Sequence, residues 1–173
     1  GSYRFDVELS KSSWFGVGGK AEVIFRPSDL DDLIFFLQNK NPNLPITILG
    51  ATSNIVISDE GIKGVLIKLG GVFAKITHDK EIITIGGATL CKNVSEYSQD
   101  HSLGGLEFLT GIPGTIGGSI AMNAGCFNRE ISDILISVKA IDFFGNILNF
   151  NNRQCQFSYR ENNLPKNLIF IKG

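Results

Sequence analysis

Apolar positions along this chain switch between two spacings. Ala21–Phe25 alternates at period two and reads as a strand that stops before Pro27. Leu30, Leu33, Ile34 and Leu37 then recur at i, i+3, i+4 and i+7, which predicts a helix to about Asn39. Ser28-Asp29-Leu30-Asp31 stands at its start and resembles a capping box with Asp in place of Glu. Asn41–Pro45 breaks the pattern. Ile46–Leu49 reads as a short buried strand, Gly50–Asn54 as a turn of small residues, and Ile55–Ile57 as a second strand. Gly64–Leu69 and Glu81–Ile85 alternate again, with Asp79-Lys80 at a hairpin. Ala88–Asp100 predicts a helix with Val94 and Tyr97 facing inward. Glu130–Leu135 is a short segment, and Ser137–Phe150 is a hairpin that turns at Gly145-Asn146. Residues 3–13 are polar and mixed and predict an arm. Trp14 and Phe15 predict an apolar anchor beside a turn at Gly16, Gly18 and Gly19.

One stretch fits neither spacing. Gly104–Gly125 reads GGLEFLTGIPGTIGGSIAMNAG. A flexible linker would set glycine among serines and other polar residues. Here glycine stands among Leu, Ile, Phe, Ala and Met, which points to buried backbone that something approaches closely. Pro113 has no N–H, but Gly114, Thr115, Ile116, Gly117 and Gly118 each carry one. A glycine-rich turn opening a helix can present such donors to a phosphate. Tight packing of helices without any ligand accounts for the same pattern equally well. The dinucleotide-binding and P-loop signatures, strand–glycine loop–helix with G-x-G-x-x-G or G-K-[ST], do not occur.

Composition narrows the class. The 173 residues are 43% hydrophobic, enough for one or two small domains with a real core. A net charge of −1 with no Lys/Arg cluster argues against nucleic acid as a partner. No apolar run reaches membrane-spanning length, and no signal-peptide plan opens the chain. Cys91, Cys126 and Cys155 are far apart and odd in number, which fits reduced thiols in the cytoplasm better than a disulfide framework. His78 and His101 lack the spacing of metal ligands and read as loop or surface residues. Asp59-Glu60 reads as a solvated turn. Arg160, in CQFSYRENN, is an always-charged fork suited to a carboxylate or phosphate.

Four segments in order, SSWFGVGG (12–19), LGATSNIVISDEGIKGVLIKL (49–69), GLEFLTGIPGTIGGSIAMNAGCF (105–127) and CQFSYR (155–160), resemble the FAD-dependent UDP-N-acetylenolpyruvoylglucosamine reductases. The resemblance spans nearly the whole chain. It implies an α+β fold, an FAD-binding domain of the vanillyl-alcohol oxidase (PCMH) type built from two α+β subdomains. These would be a small βα subdomain over 1–69 and a larger antiparallel one over 70–173. It implies that Gly50, Ala51, Thr52, Ser53 and Asn54 form one phosphate-facing loop. Gly111, Ile112, Pro113, Gly114, Thr115, Ile116, Gly117 and Gly118 would form the other. Asn123, Ala124 and Gly125 would lie near the flavin. Arg160 would act on the substrate carboxylate, and Tyr159 would line the substrate pocket.

The implied activity is reduction of a UDP-sugar enolpyruvyl ether, with NADPH as the electron source and non-covalent FAD, in a cytoplasmic monomer making peptidoglycan precursors. The family's protonating serine and a glutamate of its substrate domain match no position here, so the resemblance implies the flavin-binding portion, inactive by the full mechanism. A non-catalytic flavin or nucleotide module, or another flavin oxidase of the same fold, are the competing readings; both histidines lie outside the glycine loops and Cys126 is the nearest thiol, which argues against covalent flavin. Thr52 departs from the family's L-G-x-G-S-N pattern, standing where a second glycine is expected. A β-branched residue disfavours positive φ, so the loop must either keep φ negative there or carry strain.

Overall fold

The computed structural model describes all of residues 1–173 and has the α+β architecture that the sequence implies. Strand β1 (Ser2–Glu8) pairs antiparallel with β2 (Lys20–Arg26). Helix α1 (Leu30–Asn39) follows, then β3 (Ile46–Ile48) and β4 (Ile62–Ile67). β2 and β3 both lie parallel to β4, giving the order β1-β2-β4-β3. The chain then forms a hairpin of β5 (Ile76–Asp79) and β6 (Ile82–Ile85), and helix α2 (Cys91–Asp100). A short 3-10 turn (Glu107–Gly111) precedes the six-residue helix α3 (Ile116–Ala121). Beyond it come the two-residue strands β7 (Gly125–Cys126) and β8 (Arg129–Glu130), the hairpin β9 (Ser137–Asp142) with β10 (Ile147–Asn151), helix α4 (Asn152–Cys155) and β11 (Leu168–Lys172). These last strands form a sheet in the order β10-β9-β11.

Helix α1 starts one residue later than the motif suggested. Asp29 is the N-cap, its carboxylate accepting the Asp32 N–H at 2.8 Å, and Asp32 in turn accepts the Ser28 N–H. The buried Leu33 and Leu37 face Phe25, Val65 and Ile67 of the sheet below. The same cluster takes in Phe73, Ile141, Ile169 and Ile171 from the second half of the chain, so both halves share a core.

Four expectations need correction. Residues 2–8 are a paired edge strand and not an arm: Tyr3, Phe5 and Val7 alternate, and Tyr3 stacks on Phe25 at 4.7 Å between centroids. Ile55–Ile57 forms no strand, because β4 is already flanked by β2 and β3. Trp14 and Phe15 are exposed (67% and 55%), and the anchor of that turn is Leu9, at 3%. Its carbonyl accepts the N–H groups of Ser12 and Ser13. Helix α2 begins at Cys91 rather than Ala88, since Gly86–Leu90 is drawn into bridges with Lys172 and Thr115. Tyr97 is half-buried, stacked on His101 at 4.1 Å and hydrogen-bonded to His78 at 2.8 Å. No helix is long and apolar enough to cross a membrane.

Candidate functional site

The first loop leaves the carboxyl end of β3 and the second opens α3. They meet face to face. The Ser53 hydroxyl donates to the Pro113 carbonyl, Asn54 Nδ2 reaches Met122 Sδ at 3.4 Å, and Gly50 packs directly on Thr115 Oγ1. A Cβ at Gly50 would collide with that hydroxyl, so glycine is required here by close approach.

Backbone accounting separates the loops. Gly50, Ala51, Thr52, Ser53 and Asn54 carry five successive N–H groups, and none donates to a protein atom. Paired backbone is the rule in folded chains, so such a run marks donors turned toward solvent or a ligand. In the second loop Gly114 and Thr115 are likewise free. Ile116 donates to Thr89 O at 2.9 Å, Gly117 to Gly87 O at 2.8 Å, and Gly118 to Thr115 Oγ1 at 3.4 Å. Three of the five donors anticipated from the sequence are therefore spent inside the protein. Gly117 has a packing reason as well: a Cβ there would stand 3.0 Å from Gly87 O and 3.1 Å from Phe170 O.

Thr52 takes the strained alternative, with φ +56°. It is buried, and its hydroxyl lies 3.0 Å from Ser12 O and 2.7 Å from Ala51 O. A left-handed β-branched residue costs about 1–3 kcal/mol, which the surrounding contacts must offset.

The loops enclose a cavity of about 290 Å³, whose lining includes Gly50, Ala51, Lys68, Thr115 and Gly118. Gly87, Ala88 and Leu90 supply a third wall that sequence reasoning missed. Cys91 N–H donates to Gly114 O at 2.9 Å, which with the Ile116–Thr89 bond welds this segment to the second loop. The G-G-A-T run at 86–89 was the available signal. The Thr89 hydroxyl beside that wall is buried without a hydrogen-bond partner. A larger cleft of about 790 Å³ lies elsewhere, between β6, the 102–106 segment and the 131–137 segment. Of the sequence-predicted residues it touches Ile116 alone, whereas Gly50, Ala51, Thr115, Gly117 and Gly118 line the smaller cavity, which favours that one as the site.

Tyr159 and Arg160 form a second group. They sit at the tip of a tight turn closed by reciprocal Ser158–Glu161 backbone bonds, with Arg160 at φ +57°. Tyr159 is 85% exposed, and the guanidinium lies over its ring at 5.6 Å. Asn123–Gly125 holds this turn. Asn123 is buried, donates from Nδ2 to Ser158 O at 3.0 Å and accepts the Ser132 N–H at 3.0 Å. Arg160 Nη2 donates to Gly125 O at 3.3 Å. The Asn123 side chain is thus occupied within the protein, and Ala124 is buried. Neither Tyr159 nor Arg160 lines the inter-loop cavity. Asn162, also missed, donates to Ile120 and Ala121 carbonyls and closes the end of α3. No group of three or more His, Cys, Asp or Glu side chains is placed to hold a metal ion.

Facing glycine loops with free N–H groups, no carboxylate and one lysine around a cavity suit a phosphate-bearing cofactor. Residues 21–151 match the model of the FAD binding domain family. The chain belongs to that family. It is 49% identical over its whole length to UDP-N-acetylenolpyruvoylglucosamine reductase of Rickettsia canadensis, and 48% identical to that of Rickettsia felis. In each case it spans 59% of the relative's length. Among solved structures it superposes on UDP-N-acetylenolpyruvylglucosamine reductase of Thermus caldophilus with TM-score 0.83 and 29% identity, covering 99% of this chain and 59% of that one. 6-Hydroxy-D-nicotine oxidase of Arthrobacter nicotinovorans, at 13% identity and TM-score 0.64 over 99% of this chain and 41% of its own, shares the fold. The FAD-binding family chain is thus similar throughout to the flavin-binding part of the UDP-sugar reductases.

Proposed function

We propose that this chain is the flavin-binding part of an NADPH-using reductase that converts UDP-N-acetylglucosamine enolpyruvate to UDP-N-acetylmuramate. The observation that carries this reading is the run of five free N–H groups at Gly50–Asn54, whose first two residues line the cavity together with Thr115. These amides, with those of Gly114 and Thr115, would hold the FAD diphosphate non-covalently. Residues 1–69 and 70–173 act as the two halves that close on the cofactor. Gly111, Ile112 and Pro113, with Ala124 and Gly125, shape the approach to the ring system. When bound, a flavin supplies the two-electron hydride chemistry linking NADPH to the enolpyruvyl double bond.

The chain's own residues bind and orient. Arg160, tied to Gly125 O and free along the rest of its fork, holds the substrate carboxylate. There it stabilises the negative charge that grows on the oxygens as the double bond is reduced. Tyr159 gives that guanidinium a face to rest on and lines the substrate pocket. In this reading the protein works in the cytoplasm as a monomer, in peptidoglycan precursor synthesis.

Stopped-flow measurement of the two half-reactions in the complete protein tests this reading. Arg160→Ala should slow flavin reoxidation by the UDP-sugar by about 10²–10³-fold, the scale of a lost oxyanion donor. Flavin reduction by NADPH should stay at the wild-type rate. Equal losses in both half-reactions would remove Arg160 from the role.

A further inference from the structure

Among the residues lining the inter-loop cavity, one carries a charge: Lys68. It follows directly on the carboxyl end of β4, and its own N–H donates to Phe25 O at 3.0 Å, so the sheet fixes its origin. Open parallel sheets seat their ligands beyond these strand ends, which is where Gly50 also lies. The side chain is half-buried. It takes part in none of the molecule's ion pairs, which involve the chain terminus and Lys11, Lys63, Lys92 and Lys166. Its one charged influence is Arg26, of like sign. Lost hydration, and then Arg26, hold its ammonium below the usual lysine range. A desolvated cation with no counter-ion works against the fold. Such a group is explained by what it binds.

We propose that Lys68 is the charge contact for a phosphate of the dinucleotide. The inference rests on the FAD reading above and deepens it. The loop amides are neutral: they orient phosphate oxygens but leave the diphosphate's net charge uncompensated. Lys68 supplies that charge from the end of β4, the strand paired with the β3 that leads into Gly50. The two roles are separable, because charge pairing is sensitive to salt and to the ligand's phosphate, whereas amide contacts and ring packing are far less so.

The experiment titrates FAD, FMN and riboflavin into the complete protein and its Lys68→Met and Lys68→Arg variants, at several potassium chloride concentrations. Lys68→Met should weaken FAD by about 10–100-fold, the scale of a charged hydrogen bond, and flatten the dependence of Kd on salt. Riboflavin, which has no phosphate, should bind Lys68→Met as it binds the wild type. Lys68→Arg should recover most of the FAD affinity. A parallel loss for FMN places the contact on the flavin-side phosphate, and a loss for FAD alone places it on the adenylate side. Without ligand, Lys68→Met should melt at or above the wild-type temperature. Wild-type FAD affinity and salt dependence in Lys68→Met would overturn this inference alone. So would an equal loss for riboflavin, or a ligand-free melting temperature well below wild type, which would mark the lysine as structural. A wild-type protein that binds no FAD would overturn the parent reading with it.

Discussion

The two glycine-bearing loops look alike in sequence and differ in what their backbones do. Gly50–Asn54 keeps every N–H free of protein partners. Its neighbour at 114–118 gives up three of five, to Thr89, Gly87 and the Thr115 hydroxyl. The first loop is a set of donors, and the second is chiefly a wall. Glycine serves different ends accordingly. At Gly50 it lets two loops touch, and at Gly117 it lets α3 press against the Gly87 and Phe170 backbones. A glycine-rich segment therefore need not owe its composition to the ligand beside it.

The largest expected effect tests the wall. Gly117→Val puts branched carbon against two backbone carbonyls, which cannot swing away, and should destabilise the ligand-free protein by about 1–3 kcal/mol or more. Thermal unfolding without flavin reads this directly. An unchanged melting temperature with flavin binding abolished would mean that the residue faces the cofactor instead. Next comes Gly50→Ala. Its methyl group must displace Thr115, whose hydroxyl caps α3, costing about 1 kcal/mol of cap energy and parting the loops. Flavin affinity should fall more steeply than stability, as equilibrium titration beside thermal melts would reveal. A variant that keeps both would contradict the close approach. The smallest change is expected for Thr52→Gly. Relief of the left-handed strain, about 1 kcal/mol at the lower end, opposes the loss of a hydrogen bond worth about 1 kcal/mol and extra loop freedom. Urea unfolding should shift by under about 1 kcal/mol either way, while Thr52→Ala, which keeps the strain and loses the hydroxyl, should be the less stable of the two.

The sequence made some of this legible because the signals are local. Spacing at 30, 33, 34 and 37 gave α1, and its cap lay one residue off because Asp29, and not Ser28, accepts the first-turn N–H. Gly145-Asn146 gave the β9–β10 hairpin, where Gly145 adopts φ +88°. What stayed hidden is non-local. Ile55–Ile57 has strand alternation but nothing left to pair with. Ala88–Leu90 reads as the start of a helix, but the bridges of Gly86 to Lys172 and of Leu90 to Thr115 claim that stretch. The donors at 116–118 were counted correctly and assigned too generously, since only the fold reveals which carbonyls stand opposite. Lys68 gave no signal, because its isolation from any carboxylate is a fact of three dimensions. His78 and His101, 23 residues apart in the chain, meet with ring centroids 4.8 Å apart around Tyr97.

The cluster that joins Phe25, Leu33 and Ile67 to Ile141, Ile169 and Ile171 has a consequence for dissection. A gene cut at Gly70 would yield two polypeptides, each with half of a greasy seam bare to water. Neither should be recoverable as a well-behaved product when made alone, and co-expression should rescue both.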